Sequence, residues 1–145
     1  MNSLYTIGFT KKSAERLFSL LWANGVTLLA DVRLNNTGQL AGYTKANDLA
    51  FFLGLVGIQY QHWRDFAPTK DILAAYRADG DFEAYTAHYR ELIAQMHAVE
   101  QLSAGVFASQ VVCLLCSEPT ADRCHRRLAA ELICRAMPGL QVRHL

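Results

Sequence analysis

Long hydrophobic runs are missing from these 145 residues. The longest apolar stretches fall far short of the ~20 residues that a bilayer-crossing helix requires, so no membrane partner is expected. The opening MNSLYTIGF lacks the basic start and apolar run of a secretory leader, and a cytoplasmic location is the expectation. Charge of one sign is lacking too. A net charge of +1 gives no global electrostatic basis for holding nucleic acid. Lysine is scarce: four lysines stand against ten arginines, and the planar guanidinium suits phosphate and carboxylate. Repeats, low-complexity tracts and linkers are absent, so a single domain over 1–145 is expected. A chain of this length buries roughly two-thirds of its unfolded surface and needs no covalent staples. Only four cysteines occur, and in a reducing compartment they are free thiols serving as core residues, metal ligands or reactive groups.

What is present alternates between strand and helix patterns. Residues 4–9, LYTIGF, read as a first strand, and Ser13 or Thr10 can cap a helix with Ala14, Leu17, Phe18 and Leu21 on its apolar face. VTLLADV, 26–32, is nearly continuous in apolar character, as in a parallel strand buried on both faces. A polar loop over 33–45 precedes a helix from about Asn47 to Val56, and IQYQHW, 58–63, reads as a third strand. Residues 70–104 read as helical, split by Asp79-Gly80-Asp81 into a short and a long helix. QVVCLLC, 110–116, is a fourth buried strand, a helix runs from about Asp122 to Ala136, and LQVRHL, 140–145, closes the chain as a strand. The alternation predicts a three-layer α/β fold, with a mainly parallel five-stranded sheet and helices on both faces.

In open α/β sheets, ligands sit beyond the carboxyl ends of the strands. The residues there are Gly8, Phe9 and Thr10 after the first strand, Asp31 and Arg33 after the second, and His62 and Arg64 after the third. Cys116, Ser117 and Glu118 follow the fourth strand, and His144 lies near the end of the fifth. Asp31 and Arg33 are two apart and share a strand face. They can pair with each other or both face a ligand, because a buried carboxylate without a partner is costly.

Residues 113–126, CLLCSEPTADRCHR, hold three of the four cysteines. Zinc is disfavoured. Cys113 and Cys116 are three apart in a strand and point to opposite faces, while the neighbours Cys124 and His125 diverge by about 100° on a helix. A pocket fits better: a thiol at a strand end, a short turn capped by Asp122 or Thr120, and Cys124, His125 and Arg126 in the first turn of the next helix. A helix N-terminus and an arginine both favour thiolate. The turn has no glycine and does not reproduce the arginine spacing of a cysteine-phosphatase cradle, and Glu118 opposes an anion at Cys116.

YTIG, LLADVR, GIQY, CLLCSE with CHR, and VRHL occur in this order over almost the whole chain. Together they resemble the prokaryotic family catalogued as domain of unknown function (DUF) 488. The resemblance maps a common site onto Gly8, Asp31, Arg33, Cys116, Glu118, Cys124, His125, Arg126 and His144, and implies no particular reaction. The chain departs from the family pattern at Phe9, where histidine is usual, and at WRDFAPTKD, where the family often carries a glycine-rich stretch. DVR after a buried strand is also similar to rhodanese domains, whose cysteine loop is not reproduced. The expected function is an enzyme-like domain binding a phosphate-bearing ligand, a nucleotide or nucleic-acid end, as a hydrolase or transferase. Arg33 and Arg126 hold the anion, Asp31 or Glu118 is the base, Cys116 or Cys124 the nucleophile, and His125 or His144 the proton carrier. No cofactor and no metal are expected. The alternatives are a non-catalytic nucleic-acid or partner-binding module, and a metal-dependent hydrolase using Asp31, Glu118 and His125.

Overall fold

The computed structural model describes residues 2–38 and 42–145. The middle of the expected polar loop, residues 39–41, lies outside the described residues. The strands are β1 (Asn2–Gly8), β2 (Leu28–Asp31), β3 (Gln59–His62), β4 (Val112–Cys116) and β5 (Leu140–His144). The helices are α1 (Ala14–Ala23), α2 (Ala46–Leu55), α3 (Lys70–Asp79), α4 (Phe82–Met96), α5 (Ala98–Gln101), α6 (Ala104–Ser109) and α7 (His125–Ala136). The five strands form one sheet in the order β3-β2-β4-β1-β5, and every pairing is parallel.

Period-two alternation along the strands divides the core into two layers. Leu29, Cys113 and Leu115 pack with Leu17 and Leu21 of α1 and with Leu49 and Leu53 of α2. Leu28, Ala30, Leu114 and Cys116 face the other way, onto Tyr85, Tyr89 and Ile93 of α4 and Leu128, Ala129 and Ile133 of α7. Helices therefore cover both faces of the sheet, in a three-layer α/β architecture, and Cys113 and Cys116 lie on opposite sides of it.

Several boundaries differ from the sequence reading. The apolar run at 26–32 supplies a strand only over Leu28–Asp31, because Val26 donates its backbone N–H to Leu21 and closes the turn after α1. Gly25, at φ +68°, makes that turn. Ser13 is the cap of α1: its hydroxyl accepts from the Arg16 N–H at 3.1 Å. The long helix stops at Met96, where His97 adopts the left-handed conformation, and two short helices follow. The largest change is at α7, which begins at His125 rather than near Asp122. Neither Asp122 nor Thr120 caps it; Cys124 occupies the cap position, and residues 117–123 are an irregular turn.

β4 lies between β2 and β1, so the ends of these three strands converge at one edge. Backbone bonds from Phe9 to Cys116 (3.3 Å) and from Thr10 to Ser117 (3.0 Å) carry the pairing past the strand ends. Gly8 allows this: a Cβ there would overlap the Glu118 carbonyl oxygen. No helix among the described residues is long and apolar enough to cross a membrane.

Candidate functional site

A cavity of about 620 Å³ opens at the carboxyl ends of β2 and β4. Arg33 and Asn35 line it from the β2 side, Cys116 and Glu118 from the β4 side, and Arg123, Cys124 and His125 from the entry to α7. Lys70, Tyr76 and Arg77 of α3 and Tyr85 of α4 complete the wall. Four permanently or ordinarily cationic side chains, Arg33, Lys70, Arg77 and Arg123, thus surround a space bordered by a single carboxylate, Glu118. This imbalance is local, since the whole chain carries only +1.

On the β2 side, Asp31 and Arg33 form a bidentate pair. Arg33 Nε donates to Asp31 Oδ1 at 2.8 Å and Nη2 to Oδ2 at 2.7 Å. The Arg33 backbone N–H (3.1 Å) and the Tyr60 hydroxyl (2.6 Å) also donate to this carboxylate. Burial, followed by the hydrogen bond to Asp31, pushes Tyr60 up to about 12, so it stays protonated as a donor. Asp31 is fully buried and does not border the cavity. Its lone pairs are committed to fixing Arg33, whose Nη2 also reaches the Thr44 carbonyl at 2.7 Å. Arg33 Nη1 differs: it is buried and has no hydrogen-bond partner. The guanidinium lies over the Phe9 ring, 5.3 Å from its centroid, a cation–π contact.

The β4 side is built around Arg126. This side chain is fully buried. Its Nε donates to Thr6 Oγ1 at 3.2 Å, and Nη1 reaches the Glu118 carbonyl at 2.6 Å and Cys116 Sγ at 3.3 Å. Among the described residues no carboxylate lies within ion-pairing distance of it. A buried charge without a counter-charge is strongly unfavourable, and of its three partners only the Cys116 sulfur can carry one. Burial is the largest single influence on Cys116 and opposes ionisation. The Cys124 thiol, the charge and hydrogen bond of Arg126, and a backbone hydrogen bond at Glu118 outweigh it, leaving Cys116 below the ordinary cysteine range. Cys124 moves the opposite way, raised first by its hydrogen bond to Cys116 and then by burial. Burial likewise raises Cys113 and Cys134. Of the two sulfurs that the sequence leaves open as nucleophile, Cys116 is the acidified one, with Cys124 beside it as a protonated donor.

His125 sits between the two sides. Its Nε2 bonds the Val32 carbonyl at 2.7 Å, so this nitrogen carries the proton and Nδ1 is left as an acceptor. Burial, reinforced by Arg126, holds it down at about 4. This favours the neutral imidazole, and the bond to Val32 links β2 to α7.

The other predicted site residues separate into two groups. Gly8 lies against Glu118 and Arg126 and acts through its lack of a side chain. Thr10, His144 and Arg126 do not border the cavity. His144 is paired in register with Thr6, two residues short of Gly8, so β5 ends below the site. Its Nδ1 bonds Thr6 Oγ1 at 2.6 Å, which ties it to Arg126 through a shared hydroxyl. The sequence reading passed over Lys70, Tyr76 and Arg77. The spacing of α3 offers no warning, although none of its residues is buried and the helix is free to present one face to the cavity.

Among the described residues no cluster of three His, Cys, Asp or Glu side chains is arranged to hold a metal ion. No curated protein and no solved structure matches the chain significantly. The family described as domain of unknown function DUF488 matches residues 13–133, a span that includes Asp31, Arg33, Cys116, Cys124 and Arg126, and the chain belongs to that family.

Proposed function

We propose that the cavity binds a phosphate-bearing ligand, of the size of a nucleotide or a nucleic-acid end, and presents it to Cys116 as nucleophile. One observation carries this reading: Arg33, whose Nη1 is buried without a partner, lines the same cavity as Cys116. A buried guanidinium N–H is costly to leave unmatched, and a phosphate oxygen is its natural complement. Lys70, Arg77 and Arg123 supply further positive charge, and Tyr76 and Tyr85 offer aromatic walls for a base or sugar.

Arg33, held by Asp31, anchors the anion. Cys116 thiolate, stabilised by Arg126, attacks phosphorus; the S–P bond forms as the ester P–O bond breaks, and the leaving oxygen takes a proton. Glu118 at the cavity border is the acid, and then the base for the water that releases phosphate from sulfur. Arg126 holds the thiolate rather than the ligand.

The test is the rate of Cys116 alkylation with inorganic phosphate or a nucleoside monophosphate present, alongside turnover of an aryl phosphate. Both anions are expected to protect Cys116, and Cys116→Ser to abolish turnover while retaining the anion. The charge-neutral pair Asp31→Asn with Arg33→Met is expected to remove protection. Absence of protection at millimolar anion overturns the binding reading. Protection without turnover overturns the catalytic part and leaves a binding module.

A further inference from the structure

Cys124 occupies a position that its chemistry does not explain. A helix cap ordinarily carries Ser, Thr, Asp or Asn, whose oxygen accepts a backbone N–H. Cys124 has the extended backbone of a cap, φ −135° and ψ 140°, but its side chain makes no cap hydrogen bond. Cys116 and Cys124 border the same cavity and belong to the same core layer. They sit on adjacent elements, the end of β4 and the start of α7, joined by the irregular turn 117–123. The phosphate reading assigns chemistry to Cys116 and none to Cys124.

We propose that Cys116 and Cys124 form a redox-active pair in which a hydroperoxide entering the cavity oxidises Cys116, and Cys124 resolves the product as an intramolecular disulfide. In the first step the Cys116 sulfur attacks the distal peroxide oxygen. An S–O bond forms, the O–O bond breaks, and the departing oxygen leaves as water or an alcohol after taking a proton. Cys116 becomes a sulfenic acid, and the hydroperoxide is reduced by two electrons. In the second step the Cys124 sulfur attacks the Cys116 sulfur. The S–S bond forms, the S–O bond breaks, and hydroxide leaves as water with the Cys124 proton. A thiol reductant reverses the change by exchange.

Geometry selects this pair. Cys113 faces the opposite layer, among α1 and α2. Cys134 is ten residues beyond Cys124 on α7, about 15 Å along the helix axis, and no other cysteine borders the cavity. Arg126 Nη1, 3.3 Å from Cys116 Sγ, stabilises the attacking sulfur. Cys134 provides an internal control. It is the most exposed of the four thiols, so oxidation governed by exposure alone begins there. Disulfide formation removes the nucleophile of the proposed phosphate chemistry, and oxidant then switches the site off. The pairing rests on the two thiols and not on the anion ligand.

The experiment treats the reduced wild-type chain with stoichiometric hydrogen peroxide in phosphate-free buffer and follows it by intact mass and peptide mapping. The expected product is lighter by two hydrogens, contains a cross-link between the Cys116 and Cys124 peptides, and returns to the starting mass with dithiothreitol. Cys116 is expected to be consumed at least about tenfold faster than Cys134. In Cys124→Ser, a sulfenic-acid trap such as dimedone is expected on Cys116. Oxidation that begins at Cys134, or Cys116 that advances to sulfinic acid in the wild type without the cross-link, overturns the proposal. The wild-type map requires no substitution, so a folding defect in a variant does not obscure it. Because phosphate is absent, failure here leaves the anion reading standing.

Discussion

Replacing Arg126 with methionine removes the charge in contact with Cys116 Sγ while keeping much of the side-chain volume. The two groups are 3.3 Å apart and both are buried. Their attraction is roughly 5 kcal/mol at an effective dielectric constant of about 20. About half of that is recovered as the sulfur gains other donors and some water. The remainder, at ~1.4 kcal/mol per factor of ten, is close to a hundredfold in thiolate population. Alkylation of Cys116 by iodoacetamide at neutral pH, read by peptide mass, is therefore expected to slow by about that factor in Arg126→Met. At high pH both proteins are ionised and the rates converge. Superimposable rate–pH profiles for the two proteins refute the argument, provided circular dichroism shows both folded.

Acid is expected to destabilise the fold through His125. Its value falls from 6.5 to about 4 on folding, so the unfolded chain binds the extra proton, and stability is complete above 6.5 and lost as pH falls toward 4. The loss is roughly 3 kcal/mol at ~1.4 kcal/mol per pH unit, and a denaturant series from pH 7 to pH 4 is expected to show a shallower decline in His125→Gln. Asp31→Asn leaves the Arg33 charge without its counter-ion and is expected to cost about 3 kcal/mol in urea unfolding; an unchanged midpoint contradicts the pairing as a structural anchor. Gly8→Ala drives a methyl group into the Glu118 carbonyl and is expected to cost about 2 kcal/mol while slowing Cys116 alkylation, since the same carbonyl holds Arg126 at 2.6 Å.

The chemistry of the strand ends was legible in the sequence because polar residues after apolar runs have few places to go. Asp31 and Arg33, two apart at the end of LLADVR, share a face, and the sequence left open whether they meet each other or a ligand. The structure pairs them: Nε and Nη2 of Arg33 serve Asp31, while Nη1 has no partner. Arg126 was read as a ligand contact because helix N-termini attract anions. Its full burial depends on β1, β4 and the turn 117–123 closing over it, contacts more than a hundred residues apart for Thr6. The start of α7 was misplaced for the same reason. Asp122 and Thr120 are good caps locally, but the turn must stay irregular for the Glu118 carbonyl to face Arg126. Lys70 and Arg77 were invisible as site residues because a solvent-facing helix and a cavity-facing one have the same spacing.

The state of the Cys116 sulfur decides the account. The thiolate ultraviolet absorbance of the reduced wild-type chain, titrated against pH and compared with Cys116→Ser, reads it directly. A step below the ordinary cysteine range that is present in the wild type and lost in Cys116→Ser is the predicted result. A wild-type titration that begins only at or above the ordinary value, with no difference between the two proteins below it, contradicts a buried Arg126–Cys116 ion pair and the nucleophile built on it.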